Sequence, residues 1–303
     1  MGKHSHNHEE SDANRMSSGL GFALAITCAI LIFQLVGSYL SNSLALLGDT
    51  GHVFSDLISL SLSFFACRLA MSPSCEKRTF GYHRAEVFAA LANSLLLLVM
   101  ALVVAYEAFM RVAHPVQINS PVMLAFALVG LLGNAWVVLM LAGQKNLNVK
   151  SAMLHALSDA LSSIGVIISA VVIALTGITV FDSIASFFIA GLMLLGSYRV
   201  GVSAIRILFE FSPRGMDANE ICGLLSGVPG IEEVHDVHIW SVCSDLVYVT
   251  AHVVVADIKI SKSEKIAEKL SERLKKLGVS HSTFQFETKN PGHEKETVCN
   301  VGR

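Results

Sequence analysis

"SLALLGDTGHVFSDLISLSLSFFA", from Ser43 to Ala66, has the composition of a helix dissolved in lipid, yet Asp49, His52 and Asp56 sit inside it. A charged side chain near a bilayer centre costs about 3 kcal/mol on insertion scales, so ionisable groups at that depth mark ion and proton pathways. His52 and Asp56 are four residues apart, which puts both on one face of a helix. Asp49 stands one turn earlier on a similar face. It reads equally as a carboxylate supporting the pair and as a hydrated group nearer an interface.

The rest of the chain explains why this stretch belongs in a membrane. Of 303 residues, 53% are hydrophobic and 15% charged, against about 25% charged in soluble domains. The net charge of −2 gives nucleic acid no electrostatic reason to bind. A spanning helix needs about 20 mostly apolar residues. Six runs qualify: 19–40, 43–68, 84–110, 120–143, 151–175 and 181–208. The polar segment 1–18 lacks the apolar core of a signal peptide, so the first run is expected to be a retained span.

Lys and Arg fall on one side of these spans. Lys3 and Arg15 precede the first, and Arg68, Lys77, Arg78 and Arg84 follow the second. Lys145 and Lys150 follow the fourth, and Arg206 and Arg214 close the sixth, while the opposite loops hold Arg111 alone. This asymmetry predicts both termini in the cytoplasm. The six cysteines (28, 67, 75, 222, 243 and 299) form no CxxC pair and suit reduced thiols better than a disulfide framework.

The transmembrane part is expected over 19–210. From Pro213 the character changes. "MDANEICGLLSGV" reads as a short amphipathic helix. "GIEEVHDVHIWSV" and "DLVYVTAHVVVAD" read as two strands turning near Cys243–Ser244. "SKSEKIAEKLSERLKKLGV" is an amphipathic helix that Ser261 or Ser263 can cap and Gly278 can end, and "HSTFQFET" alternates as a last strand. The order αββαβ over 213–288 predicts a small cytoplasmic α+β domain with helices on one face of a sheet. Residues 289–303 read as a tail.

The fifth span repeats the opening pattern. "LHALSD" echoes "GHVFSD": His155 and Asp159 have the spacing of His52 and Asp56. Two imidazoles and two carboxylates converging from two helices make a four-coordinate nitrogen and oxygen set that suits Zn²⁺. Carboxylates alone would favour Mn²⁺ or Mg²⁺, and thiolates softer metals. An unperturbed imidazole titrates near pH ~6.5, so proton and metal compete for the same nitrogen. "GLLGNAW" in the fourth span, and Ser162, Ser163 and Gly165 in the fifth, allow helices to approach closely. Asn134 reads as a helix–helix hydrogen-bond partner or a polar group beside the site.

At these residues the chain resembles the cation diffusion facilitator family. The resemblance rests on "LLGDTGHVFSD", "FGYHRAE", "NLNVKSAMLHALSDALSSIGV" and "VHDVHIWSV", and covers all six spans and the C-terminal domain. It implies a homodimeric metal/proton antiporter in the lipid bilayer, with a metallochaperone-like cytoplasmic domain. Zn²⁺ is the implied transported substrate and a regulatory ligand of that domain; Co²⁺, Cd²⁺, Ni²⁺, Fe²⁺ and Mn²⁺ are the alternative cargoes. His52, Asp56, His155 and Asp159 would hold the transported ion.

The resemblance also implies a cytoplasmic metal set of His235 and His252 with Glu287. Gln285 stands where one member has a ligating histidine, and His281 can supply a nitrogen instead. Strand alternation puts His235 and His238 on opposite faces, and Trp240 reads as core or dimer interface. Arg84 and Glu210 match positions at which some members lock the dimer with a charge pair. One departure matters. Where other members build a further metal site between the second and third spans, this chain has Cys75, Arg78 and Tyr82, with His83 out of register, so no site is expected there. The short "GQKNLNVKS" loop points to a bacterial inner membrane. His4, His6 and His8 read equally as a tract that captures metal weakly and as a solvated tail with no required role.

No enzyme is expected. A metalloprotease would need HExxH, four protein ligands leave no open position for catalytic water, and ATP-driven pumping would need GxxxxGK[ST]. A metal sensor or scaffold would not need ionisable groups at bilayer depth on two helices.

Overall fold

The computed structural model of the chain describes residues 27–70, 72, 75–142 and 147–288. The His4–His8 tract and the tail 289–303 lie outside them. Six long helices come first: α1 (Thr27–Ser41), α2 (Leu44–Ala70), α3 (Arg84–Ala113), α4 (Ser120–Leu141), α5 (Leu147–Thr176) and α6 (Val180–Leu208). Among the described residues, four of the six are long and apolar enough to cross a membrane: α3, α4, α5 from Ala156, and α6. Helix α1 is a shorter apolar helix over its described residues, and α2 interrupts its apolar run with Asp49, His52 and Asp56.

The chain divides into two compact units, one of residues 1–61 and 92–199, the other of 62–91 and 200–303. In the first, small and hydroxylated side chains share the interior with a few large apolar ones, and many other large apolar side chains point outward. Leu46, Ala101, Met123, Ala127, Val166 and Ala170 form its buried cluster. Ser38, Thr50, Ser55, Ser94, Ser163 and Ser186 are buried around it, while Leu132, Leu139 and Leu175 are 67%, 72% and 81% exposed. This inversion suits helices that pack by close approach within lipid. Gly130 and Gly133 make that approach between α4 and α1. A Cβ on Gly133 would stand 2.4 Å from Ile30 Cδ1, and one on Gly130 2.4 Å from Gln34 Nε2. Gly165 meets nothing within 4 Å, so it makes no such contact among the described residues.

Helix α2 starts on a carboxylate from another helix. Asp182, in the first turn of α6, accepts hydrogen bonds from Ser43 Oγ (2.5 Å), Leu44 N (2.8 Å) and Ala45 N (3.3 Å). These are donors that a helix N-terminus leaves unpaired. Arg111, at the end of α3, places Nη1 3.8 Å from Asp182 and donates to Asn42 O at 2.7 Å. The carboxylate thus ties the starts of α2 and α6 to the end of α3.

In the second unit, α7 (Ala218–Ser226), β1 (Glu233–Cys243), β2 (Leu246–Val254), α8 (Ile260–Lys275) and β3 (His281–Glu287) follow in the expected order. Strand β1 pairs antiparallel with β2, and β2 parallel with β3. Leu225, Val237, Val249, Val253, Leu270 and Leu274 are buried between helices and sheet. Asp217 caps α7 through Asn219 N and Glu220 N. Neither Ser261 nor Ser263 caps α8: Lys259 holds that position with no side-chain cap, and both serines fall inside the first turn. Gly278, at φ +87°, ends the helix.

The strand alternation expected for β1 fails at a bulge. His235 pairs with His252, and pairing resumes at His238 with Thr250, three residues on β1 against two on β2. Asp236 supplies the bend, at φ +49°. One extra residue reverses the parity of everything after it. His235 and His238 therefore lie on the same face, with Trp240, Tyr248 and His252, while Val237 and Ile239 join the core.

Candidate metal centres

Helices α2 and α5 bring three of the four expected intramembrane residues together. His52 Nε2 lies 3.7 Å from Asp56 Oδ2, one turn along α2, and 3.6 Å from Asp159 Oδ1 on α5. One ligand atom from each of the three lies within 4.8 Å of the other two. His155 stands one turn before Asp159 on α5, and its side chain lies outside the described ones. Zinc held at about 2.0–2.1 Å in a tetrahedron sets neighbouring donors about 3.4 Å apart. The two separations across His52 are within a few tenths of an ångström of that.

Asp49 is 2% exposed, which removes the hydrated-group alternative. Gln34 Nε2 donates to its Oδ2 at 3.0 Å, and Ser163 Oγ donates to the same oxygen at 3.3 Å. Gln34 is the residue that sequence reading missed. Its only signal was a fully apolar neighbourhood in the first span. Asn134 is buried, and its Nδ2 makes no hydrogen bond among the described residues.

A second group forms on the face of the sheet opposite the Val237 and Ile239 core. His235, His252 and Glu287 offer ligand atoms within 4.8 Å of one another. Glu287 Oε1 lies 3.0 Å from His252 Nδ1, and Oε2 lies 3.4 Å from His235 Nε2. The His235 ring is 1% exposed, and among the described residues neither of its nitrogens makes a hydrogen bond. Buried polar atoms without partners call for an unseen water or ion, so this donor set fits a divalent metal. His281 does not join it. The parallel register sets His281 opposite Tyr248 and Gln285 opposite His252, and Gln285 donates to Glu287 Oε1 at 2.9 Å.

The segment between α2 and α3 carries an organic pin. The Arg78 guanidinium sits 4.5 Å from the centre of the Tyr82 ring and donates to the Tyr82 hydroxyl. Cys75 and Arg78 exchange backbone hydrogen bonds, and the Arg78 side chain, hydrogen-bonding to the sulfur, holds the Cys75 thiol below its usual pKa. Farther along, Arg84 Nη2 donates to Glu210 Oε1 at 2.7 Å, between half-exposed side chains. Exposed pairs of this kind stabilise by about 0–1 kcal/mol.

Comparison with known proteins accounts for both groups' settings. Residues 20–209 match the cation efflux transmembrane domain, and residues 213–289 the cation efflux protein cytoplasmic domain. A cadmium, cobalt and zinc/H(+)-K(+) antiporter of Bacillus subtilis is 38% identical, covering 97% of this chain and 95% of its own. The metal cation efflux system protein CzcD of Cupriavidus metallidurans is 36% identical over 93% and 89% of the two chains. The zinc transporter ZitB of Escherichia coli is 32% identical over 99% and 96%. With both domains matched and relatives aligned end to end, the chain belongs to the cation efflux, or cation diffusion facilitator, family of membrane transporters.

Proposed function

We propose that this chain exports divalent metal, foremost Zn²⁺, from the cytoplasm in exchange for protons. It does so as a homodimer with six spans and both termini cytoplasmic, in a bacterial inner membrane. The observation that carries this is the convergence of His52, Asp56 and Asp159 from two helices. With His155 they make a two-nitrogen, two-carboxylate set for the transported ion. Names of relatives place cadmium and cobalt beside zinc, so those two ions are the second cargo reading.

The geometry accounts for exchange. The lone pair on His52 Nε2 that faces both carboxylates can hold a metal or a proton, not both. Metal binds from the cytoplasm while the imidazoles are neutral and the carboxylates charged. After the helices reopen outward, arriving protons take the nitrogen and release the metal, and the membrane potential favours their inward movement. Asp49, held by Gln34 and Ser163, keeps the turn of α2 just before His52 in register. On the cytoplasmic sheet, His235, His252 and Glu287 hold a regulatory metal.

The test is metal flux in sealed proteoliposomes with an imposed pH gradient, with and without a potassium gradient. Zinc flux that follows the pH gradient and is lost in His52→Ala and Asp159→Ala supports the reading. Flux indifferent to the gradient removes antiport, and full flux in either variant removes the site.

A further inference from the structure

His252 faces a carboxylate at each end of its ring. Glu287 Oε1 is 3.0 Å from Nδ1, and Asp236 Oδ2 is 3.5 Å from Nε2. The other Asp236 oxygen accepts a hydrogen bond from His238 Nε2 at 2.9 Å. Imidazoles and carboxylates thus alternate along His235, Glu287, His252, Asp236 and His238.

A neutral imidazole has one lone pair and one N–H. For His252 the Nδ1 side faces Glu287, which also reaches His235, so this is the side on which a metal meets all three donors. The Nε2 side faces Asp236. Histidines that ligate metals nearly always donate their second N–H to a carboxylate, a carbonyl or water, and this fixes both tautomer and ring orientation. The backbone is bent to deliver that carboxylate. Regular alternation would turn Asp236 away from its neighbour's face. The bulge and the left-handed φ of +49° bring it round to the same histidine that His235 opposes. A residue with a Cβ adopts that conformation against a steric penalty, and such outliers gather where they serve a site.

We propose that Asp236 is a positioning residue of the cytoplasmic centre. It holds the Nε2 proton of His252 so that Nδ1 presents its lone pair to the metal, and His238 in turn holds Asp236. This rests on the metal reading of His235, His252 and Glu287. The His238 ring, 38% exposed, lines a cavity of about 990 Å³, so the far end of the relay meets water.

The experiment uses the full-length protein in detergent, with Asp159→Ala to silence the intramembrane site. Co²⁺ is titrated by its visible absorption and then displaced with Zn²⁺. His235→Ala identifies the binding that belongs to the cytoplasmic centre. Asp236→Gly removes the carboxylate while keeping the left-handed backbone unstrained. It is expected to weaken that binding about 10–100-fold and to shift the Co²⁺ bands, with far-UV circular dichroism unchanged. Asp236→Asn, whose side-chain oxygen still accepts the Nε2 proton, restores most of the affinity, and His238→Ala shows a smaller loss than Asp236→Gly. Parental affinity and spectrum in Asp236→Gly, with binding lost in His235→Ala, overturns the positioning role and leaves the metal centre standing. Binding untouched in His235→Ala removes the centre itself and the role with it.

Discussion

Replacing Asp182 by Ala is the sharpest test of what holds the transmembrane helices in register. The carboxylate accepts from Ser43 Oγ, Leu44 N and Ala45 N, and Leu44 and Ala45 are 2% and 0% exposed. The Ser43 hydroxyl can turn elsewhere; the two backbone donors cannot. Each buried donor left unpaired costs about 1–3 kcal/mol, so the variant should lose about 2–6 kcal/mol. At about 2–4 °C per kcal/mol for a body of this size, the midpoint of thermal unfolding should fall by at least about 4 °C. Asp182→Asn keeps one acceptor oxygen and should fall between the two. The assay is unfolding of the purified protein in detergent, followed by tryptophan fluorescence. His52 lies eight residues farther along α2, about 12 Å, so metal affinity should change far less than the midpoint. A midpoint within about 1 °C of the parent would refute the reasoning, since two orphaned buried donors cannot cost less than that shift implies.

Other expectations follow from single contacts. Gly133→Ala should destabilise by about 1–3 kcal/mol through overpacking, because its new methyl would meet Ile30 Cδ1 at 2.4 Å; adding Ile30→Ala should recover most of the loss in a double-mutant melt. Leu270→Ala, at a fully buried position of α8, should cost about 2–5 kcal/mol and show as faster limited proteolysis after residue 213. Burial raises the Cys222 thiol pKa, while the bond from Arg78 lowers that of Cys75. Thiolate is the reactive form, so at neutral pH iodoacetamide should modify Cys75 well before Cys222 by mass spectrometry, and Arg78→Met should move the Cys75 reactivity profile to higher pH. Glu210→Ala, which removes a half-exposed pair, should change stability by less than about 1 kcal/mol.

What could be read beforehand was whatever a period or a spacing encodes. Because four residues make nearly one helical turn, the HxxxD spacing on two helices singled out His52, Asp56 and Asp159, whose ligand atoms the structure brings within 4.8 Å of one another. The αββαβ order was legible because β2 and β3 alternate cleanly and α8 has one apolar stripe. What stayed hidden depended on partners distant in the chain. Asp182 capping α2 joins residues 138 positions apart, and no local pattern announces it. The bulge at Asp236 leaves the composition of a strand unchanged while reversing its faces, which is why His238 was assigned to the wrong side. His281 stood near Glu287 in sequence, but the two are the first and last residues of extended β3, about 20 Å apart at about 3.3 Å per residue.

The interior of the first unit has a mechanical consequence. Where helices meet there, Ala45, Ala101, Ala127 and Ala170 and serine hydroxyls lie beside larger side chains such as Leu46, Met123 and Met193. A knob of leucine must leave its hole before a helix can slide, but a methyl or a hydroxyl barely enters one. The hydroxyls can also exchange backbone acceptors in place, as Thr50 and Ser186 already do with Leu46 O and Asp182 O one turn back. Such surfaces behave like bearings. Sliding along them keeps these bonds within each helix, whereas a movement that parts α2 from α5 must break the bond from Ser163 Oγ to Asp49.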